Sequence, residues 1–387
     1  MTCPFVVHKK YILIILSFLL IYALYLLRHF DQKYWINYIN VNFKNNSINS
    51  GKLFKHDDEY SEYVNLLPTT SRFSFESKNI DIICEPDYIK NNGKPICRPR
   101  CPKGYFYLNE MIACHPWLSC SDIRSDVRLG PKIGNGNIKK VYIARWKNIV
   151  LVVNRGNPSF FKSYFNPGIK SLMAMQPSPH ITQYIGHCRN FLLTEFHPLG
   201  DLGKLNIILS QSLSHLDTLL TRFQICLDYA TILSFLTDPE KMSGGVRIMC
   251  DTSSLKKLLG QYLLTNSLRI ILNDVESLPF INYAKGHNTT KCGKKPKVGL
   301  FSAPEQRWPI GLSYKKSRQI LYDEKADIWK LPDVCNYILG NINGSRQFKR
   351  YLLEKVHLQC KNKDPKLRPS AIQILRIYKN IYNELVD

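Results

Sequence analysis

Short β-like runs precede longer helix-like runs in the part of the chain after Ser121, and this order restricts the folds that are open to it. The β-like runs are VYIARW, NIVLVV and NFLLTEF, and no internal repeat interrupts the pattern. Strands first and helices afterwards predict an α+β architecture, with a small β-rich N-lobe followed by a larger helical C-lobe. We therefore expect residues 121–387 to form one two-lobed domain.

The N-terminal region carries an apolar run, Tyr11–Leu27, that contains no charged residue. At helical rise, a run of about 17 residues is at the short end of what spans a hydrocarbon core. The alternative is a cleaved signal peptide, but the run is long for one and no small-x-small cleavage site follows it. We predict a transmembrane anchor at 11–27 behind a cytosolic tail, 1–10. Lys and Arg flank both ends, so charge alone hardly decides its orientation.

The cysteines indicate the compartment. The chain has 12, and five of them crowd into residues 84–120: Cys84, Cys97, Cys101, Cys114 and Cys120. Behind an anchor, this density is typical of disulfides in an oxidising lumen; a zinc site would need paired C-x2-C units, which are missing. Five is an odd number, so a partner such as Cys188 is expected from the globular domain.

The remaining segments agree with a lumenal location. Residues 28–83 are polar and Asn-rich and are predicted to form a stalk, and 84–120 a Cys-rich cap on the small lobe. Asn45, Asn288 and Asn343 each begin an N-x-S/T triplet, which is a candidate glycosylation site.

The strongest local motif is IGNGNIKKVYIARW, residues 133–146. Gly134 and Gly136 lie between two β-like runs, where glycine lets the backbone approach a phosphate. The motif resembles the protein-kinase loop G-x-G-x-x-G-x-V, with Val141 in the valine place and Lys139 in the third glycine place. The alternative is an ordinary glycine-containing hairpin.

The residues that follow depart from the kinase pattern. Asn154 stands where the phosphate-binding lysine is expected, so Lys139 is predicted to send its ammonium into the same pocket, as in the with-no-lysine kinases. Gly168 falls near the place of the helix glutamate that holds this lysine, and no acid lies between 160 and 183. The ion pair is therefore missing or rebuilt. Glu195 to His197 occupy the hinge, whose backbone would bind adenine.

The catalytic motifs come next, in kinase order. RIMCDTSSL resembles the catalytic loop and gives Asp251 as the base toward the acceptor hydroxyl, with Lys256 in place of the metal-binding Asn. LNDVESLP gives Asp274 as a metal ligand.

Structural motifs complete the order. Glu305 closes Ala-Pro-Glu, Asp327 begins a DIW helix motif, and Arg368 is expected to pair with Glu305. Six such motifs in one correct order are hard to attribute to chance.

Residues from about 84 to 385 resemble one family in particular, the protein O-mannose kinases. The resemblance is carried by CPKGYFYLNEMIACHPWLSC, GNGNIKKVY, TEFHPLGDL, MCDTSSL, LNDVESLP and DEKADIWKLPDV. It implies a two-lobed protein-kinase-like fold that uses ATP with Mg²⁺ or Mn²⁺. The implied acceptor is the 6-hydroxyl of O-linked mannose in the GalNAc-GlcNAc-Man trisaccharide on α-dystroglycan. It also implies a single-pass type II protein of the endoplasmic reticulum membrane with a lumenal catalytic domain.

Two other functions remain open at this point. A lumenal Ser/Thr protein kinase would use the same Asp251 and Asp274, and a catalytically dead scaffold would explain Asn154 and Lys256. Retention of both carboxylates favours an enzyme, because a buried Asp without a partner is costly. The charge balance, 53 Lys+Arg against 30 Asp+Glu, suits phosphates or anionic surfaces. No nucleic-acid-binding module accompanies it, so no nucleic-acid partner is expected.

Overall fold

The computed structural model describes residues 101–386, with gaps at 109–110, 112, 243–244, 251, 277, 283–288, 291–296, 309–311, 314 and 316–320, and the backbone of four short strands before residue 100. Residues 1–81 lie outside this part. They include the predicted tail, the predicted anchor, Asn45 and nearly all of the predicted stalk. Asp251 and Asn288 lie in the gaps. The described residues other than Arg128–Gly130 belong to one unit, Leu66–Val127 with Pro131–Asp387.

A five-stranded sheet forms the small lobe, in the order β10-β11-β9-β8-β7. Its strands are β7 Val127–Asn135, β8 Lys139–Trp146, β9 Ile149–Gly156, β10 Tyr184–Cys188 and β11 Phe191–Glu195. β9 and β11 are buried along most of their length, as near-continuous apolar runs require. One helix, α2 Asn166–Ala174, connects the first three strands to the last two.

The Cys-rich segment is attached to the small lobe by one disulfide and contains another. It contains β1 Ile82–Cys84, β2 Lys90–Asn91, β3 Lys94–Pro95, β4 Cys97–Pro99, β5 Tyr105–Phe106, β6 His115–Pro116 and α1 Cys120–Asp126. Cys101 is bonded to Cys114, and Cys120 is bonded to Cys188 of β10. The β1–β4 ladder sets Cys84 opposite Cys97 in backbone register.

The second half of the chain is mainly helical. Its helices and strands are α3 Leu219–Leu236, β12 Gly245–Arg247, α4 Leu255–Leu259, β13 Tyr262–Leu264, β14 Ile270–Leu272, β15 Phe280–Asn282, α5 Lys325–Leu339, α6 Ser345–Leu352 and α7 Ala371–Val386. Leu205–Ile207 and Leu358–Cys360 are single helical turns. Together with the sheet, this mixed architecture fits the predicted kinase-like fold.

Helix α3 is the centre of the large lobe. It is apolar nearly all round, so it must be buried, and it packs against α5 and α7. A disulfide between Cys226 and Cys335 joins it to α5. Among the described residues α3 is also the one helix long and apolar enough to span a membrane, but most of it is buried in this core. The predicted anchor is a different segment, 11–27, outside the described residues.

Arg368 and Glu305 form a two-bond ion pair that fastens the Ala-Pro-Glu turn to the end of the chain. The two guanidinium nitrogens of Arg368 lie 2.6 and 2.8 Å from the two carboxylate oxygens of Glu305. Arg368 is 2% exposed and also donates to the carbonyls of Asn362 and Lys325. Every donor of this buried cation that is described faces an oxygen, which is the condition under which a buried charge is tolerated.

We predict that Arg368→Met lowers the free energy of unfolding by about 3–5 kcal/mol, because it leaves Glu305 and two carbonyls without their buried partner. The matched control is Arg350→Met. Arg350 pairs with Glu354 at 3.3 Å, but the two side chains are 83% and 65% exposed. Exposed pairs contribute about 0–1 kcal/mol. Denaturant titration of both variants gives the two values, and equal losses would contradict the prediction.

Candidate active site

The ammonium group of Lys139 lies between two carboxylates at the junction of the sheet and the helical half. Its Nζ is 2.7 Å from Glu276 Oε1 and 3.2 Å from Asp274 Oδ1. The Lys139 and Glu276 side chains are 15% and 3% exposed, and that of Asp274 is 29% exposed. One cation therefore holds two acids of a loop that is more than 130 residues away in the chain.

The β7–β8 hairpin aims Lys139 inward. The N–H of Gly136 donates to the carbonyl of Lys139 at 2.9 Å, which closes a tight turn directly before β8. Lys139 is opposite Gly156 on β9, and Lys140 is opposite Arg155. Consecutive residues of a strand point to opposite faces. Lys139 accordingly reaches the carboxylates, and Lys140 is exposed. Gly134 and Val141 face each other across this hairpin: a Cβ placed on Gly134 would lie only 3.1 Å from the Cβ of Val141.

The sequence pattern did not identify the partner of Lys139, because the acid was expected on or near α2. The structure rebuilds the ion pair from the other side: α2 carries Gly168, and Glu276 occupies the space. A Cβ at Gly168 would lie 2.6 Å from Glu276 Cγ and 3.0 Å from its Cα. The signal in the sequence is this reciprocal exchange. Glycine stands where the helix acid is expected, and glutamate stands two residues after Asp274, where D-F-G has glycine.

Asn154, at the usual lysine position, is used inside the sheet. It is 4% exposed and its Nδ2 donates to Thr194 Oγ1 at 3.2 Å. A lysine here would place a second ammonium close to the first. The amide instead satisfies a neighbouring hydroxyl on β11, so it packs as part of the small lobe.

Burial and mutual charge set the protonation of the three groups. Burial alone would lower the pKa of Lys139, but the charges of Asp274 and Glu276 outweigh it and raise that pKa. Burial opposes the ionised form of Asp274, yet the Lys139 ammonium holds its pKa below the usual range. Burial and the charge of Asp274 raise the pKa of Glu276. Lys139 is thus held in its charged form, as its predicted contact with phosphate oxygens requires.

The donor set fits a divalent metal ion. Asp274, whose pKa is held below the usual range, stays ionised beside Lys139, and Glu276 Oε2 is buried without a hydrogen-bond partner among the described residues. No cluster of three His, Cys, Asp or Glu occurs in the described part of the chain. Mg²⁺ in phosphotransferases is commonly bound by one or two carboxylates plus substrate phosphates, and Asp274 is the carboxylate that would hold it here.

The hinge is supported by the Cys-rich segment. Gln183 exchanges two hydrogen bonds with the backbone of Tyr107, at 2.6 and 2.7 Å, and its own N–H donates to Glu195 Oε1 at 2.8 Å. His197 Nε2 is 3.4 Å from the same oxygen. The Glu195 N–H already donates to the carbonyl of Gln183 at 3.3 Å. Binding of adenine by Glu195 to His197 stays a prediction.

Helix α2 is tied to β12. Arg247 of β12 donates to Ser171 Oγ at 3.2 Å and to the Leu278 carbonyl at 3.0 Å, and burial lowers its pKa. β12 ends at Arg247, two residues before Met249, and Met249 and Cys250 precede Asp251. Asp251 is outside the described residues, so its side chain is not placed here. Its neighbour Met249 donates its N–H to Asp327 Oδ2 at 2.8 Å.

The structure thus brings Lys139, Asp274 and Glu276 together, beside the Gly134–Gly136 turn. Two predicted disulfide candidates, Cys84 and Cys97, have only their backbone described. Asn343 is exposed just before α6. Two disulfides were not predicted: Cys226 with Cys335, and that of Cys250. Their cysteines are isolated in the sequence, so no local spacing indicates them.

No protein-family model matches the chain, but several known proteins are similar to it over most of their length. It is 37% identical over 311 residues to protein O-mannose kinase of Macaca fascicularis, which covers 79% of this chain and 87% of that protein. The protein of the same name from Gallus gallus is 39% identical over 291 residues, covering 74% and 81%. That of Homo sapiens is 36% identical over 292 residues, covering 74% and 82%.

We predict that Lys139→Ala weakens ATP binding roughly 10- to 100-fold, because a hydrogen bond to a charged group contributes about 1.5–3 kcal/mol. Lys140→Ala, the adjacent lysine on the exposed face, is expected to leave the ATP dissociation constant unchanged. Isothermal titration of both variants measures this. If Lys140→Ala weakened ATP binding and Lys139→Ala did not, Lys140 would be the lysine that faces the phosphates, and the prediction would be wrong.

We further predict that Gly168→Ala raises KM for ATP and lowers thermal stability. Its methyl group would displace Glu276 from Lys139, and such overpacking costs about 1–3 kcal/mol. Lys170→Ala, on the solvent face of the same helix, is the control. An unchanged KM in Gly168→Ala would show that the Lys139–Glu276 pair does not support nucleotide binding.

Proposed function

Because the chain belongs to the protein O-mannose kinase family, we propose that it transfers the γ-phosphoryl group of ATP to a protein-linked mannose. The observation that carries this proposal is the buried Lys139 ammonium held between Asp274 and Glu276. A cation fixed beside a metal-binding carboxylate is what transfer of a triphosphate terminus requires, since catalysis there is mainly positioning and charge stabilisation.

In this reaction the mannose 6-hydroxyl oxygen attacks the γ-phosphorus. The new O–P bond forms as the bond from the γ-phosphorus to the β,γ-bridging oxygen breaks, and ADP leaves. Asp251 accepts the hydroxyl proton. Lys139 neutralises phosphate oxygens and Glu276 fixes the direction of its ammonium. Asp274 would hold Mg²⁺ or Mn²⁺, which supplies further neutralisation of phosphate charge when bound.

The substrate is part of the proposal. We take the acceptor to be the mannose of GalNAc-GlcNAc-Man on a glycoprotein of the α-dystroglycan type, as the family resemblance implies. The catalytic domain is then lumenal, behind an anchor at 11–27 in the endoplasmic reticulum membrane. Support comes from the disulfides Cys101–Cys114 and Cys120–Cys188, which belong to an oxidising compartment, and from the exposure of Asn343.

The test uses the full chain in detergent with γ-labelled ATP and three versions of one acceptor peptide. The first carries the trisaccharide, the second carries the trisaccharide with 6-deoxymannose in place of mannose, and the third carries no glycan. We expect transfer only to the first, because the second keeps every other contact and lacks the attacking oxygen. Label on the bare peptide would favour a Ser/Thr protein kinase, and no label on any acceptor would reject the phosphotransfer proposal.

We predict that Asp251→Asn lowers kcat by about 10²–10⁴-fold, the usual contribution of a general base, while ATP binding persists. The amide has the size of the carboxylate but accepts no proton. Single-turnover transfer to the trisaccharide measures kcat, and titration calorimetry measures ATP affinity. Equal kcat in both proteins would remove Asp251 as the base.

A further inference from the structure

Two buried lysines hold the residues on either side of Asp251. Lys330 on α5 is 0% exposed, and Lys297 is 7% exposed. Lys330 Nζ lies 2.7 Å from Thr252 Oγ1, and Lys297 Nζ lies 2.9 Å from the carbonyl oxygen of Cys250. Cys250 and Thr252 are the immediate neighbours of Asp251 in the chain. Neither lysine is part of the ATP site described above.

Lys330 belongs to a closed ring of hydrogen bonds. Its Nζ donates to Asp327 Oδ1 at 3.0 Å as well as to Thr252. The other oxygen of Asp327 accepts the Met249 N–H at 2.8 Å. Thr252 Oγ1 in turn donates to the Met249 carbonyl at 3.1 Å. The ring therefore fixes residues 249 and 252, which lie on either side of Asp251 in the chain.

Lys297 contacts the same stretch of chain, at Cys250, from a different segment. Its backbone forms a strand-like bridge with Arg307, and its carbonyl accepts the Trp308 N–H at 2.8 Å. This places Lys297 on the Ala-Pro-Glu side of the molecule, whereas Lys330 is on α5. The residues on either side of Asp251 are thus held by cations from two separate elements. Lys297 binds the backbone carbonyl of Cys250, and Lys330 binds the side-chain hydroxyl of Thr252.

A stability role alone does not account for these lysines. Apolar side chains of similar size in place of a buried ion pair are often neutral or stabilising. What a buried, hydrogen-bonded ammonium supplies is a fixed geometry. Lys256 replaces the Asn that would otherwise tie this loop to a metal ion, so the lysines, together with the disulfide of Cys250, are what restrain it.

We propose that Lys297 and Lys330 are positioning residues: they hold Cys250 and Thr252, the neighbours of Asp251, and through them keep this base in register with the acceptor hydroxyl. The inference rests on the proposed function in taking Asp251 as the base. In this proposal the two lysines support the phosphoryl-transfer step and have no role in nucleotide binding. Removal of either contact should lower kcat and leave KM for ATP unchanged.

The decisive variant is Thr252→Val, which keeps the volume of the side chain and removes the oxygen that Lys330 binds. We expect kcat for mannose phosphorylation to fall about 10- to 100-fold, as small misplacements of a catalytic group do. KM for ATP should stay within about twofold. Thr252→Ser retains the hydroxyl and should recover most of the lost kcat.

Lys297→Met is expected to act in the same way as Thr252→Val, and Lys349→Met is its matched control. Lys349 also donates to a backbone carbonyl, that of Gly340, but lies on α6 away from residues 249–252. Its substitution should leave kcat unchanged. Normal kcat in Thr252→Val, or an equal loss in Thr252→Ser, would overturn the proposal.

Hydrogen exchange of the full chain separates this inference from the proposed function. The amides of 249–252 should exchange at least about tenfold faster in Thr252→Val than in Thr252→Ser. If the wild-type chain phosphorylates no mannose acceptor, the proposed function fails, and the exchange rates still report whether the lysines hold the neighbours of Asp251. Equal exchange rates in the two variants would overturn the positioning role.

Discussion

The active-site region depends on one cation that two distant parts of the chain share. Lys139 starts a strand of the small lobe, whereas Asp274 and Glu276 follow a strand of the helical half. Because all three groups are largely buried, each is tolerable only while the others are present. The glycine on α2 is the structural condition for this arrangement, since any side chain at Gly168 would occupy the position of Glu276.

Buried charge also organises the helical half. Lys330 pairs with Asp327 and Arg368 with Glu305, and both cations are almost fully buried. The apolar packing of α3, α5 and α7 is non-directional and tolerates small shifts. Ionic hydrogen bonds have defined directions, so they fix the loops that the apolar core alone would leave adjustable. The residues that flank Asp251 and the Ala-Pro-Glu turn are held in this way.

The sequence was informative where the signal is local. Strand alternation places Lys139 inward and Lys140 outward, and β-runs before helices predict the mixed architecture. It failed for Glu276, because a contact between residues 137 positions apart leaves no periodic trace. The Cys226–Cys335 disulfide was missed for the same reason. The order of the motifs was predictable, whereas the partner of each charged group depends on how distant loops pack.

The link between Cys120 and Cys188 has a mechanical consequence. Together with the Tyr107–Gln183 hydrogen bonds, it fastens the described part of the Cys-rich segment to the sheet at two separate points. Any opening between the sheet and the helical half would therefore carry that part of the segment along with the sheet. A pull on the chain ahead of it would act first on the sheet and only through it on the helices.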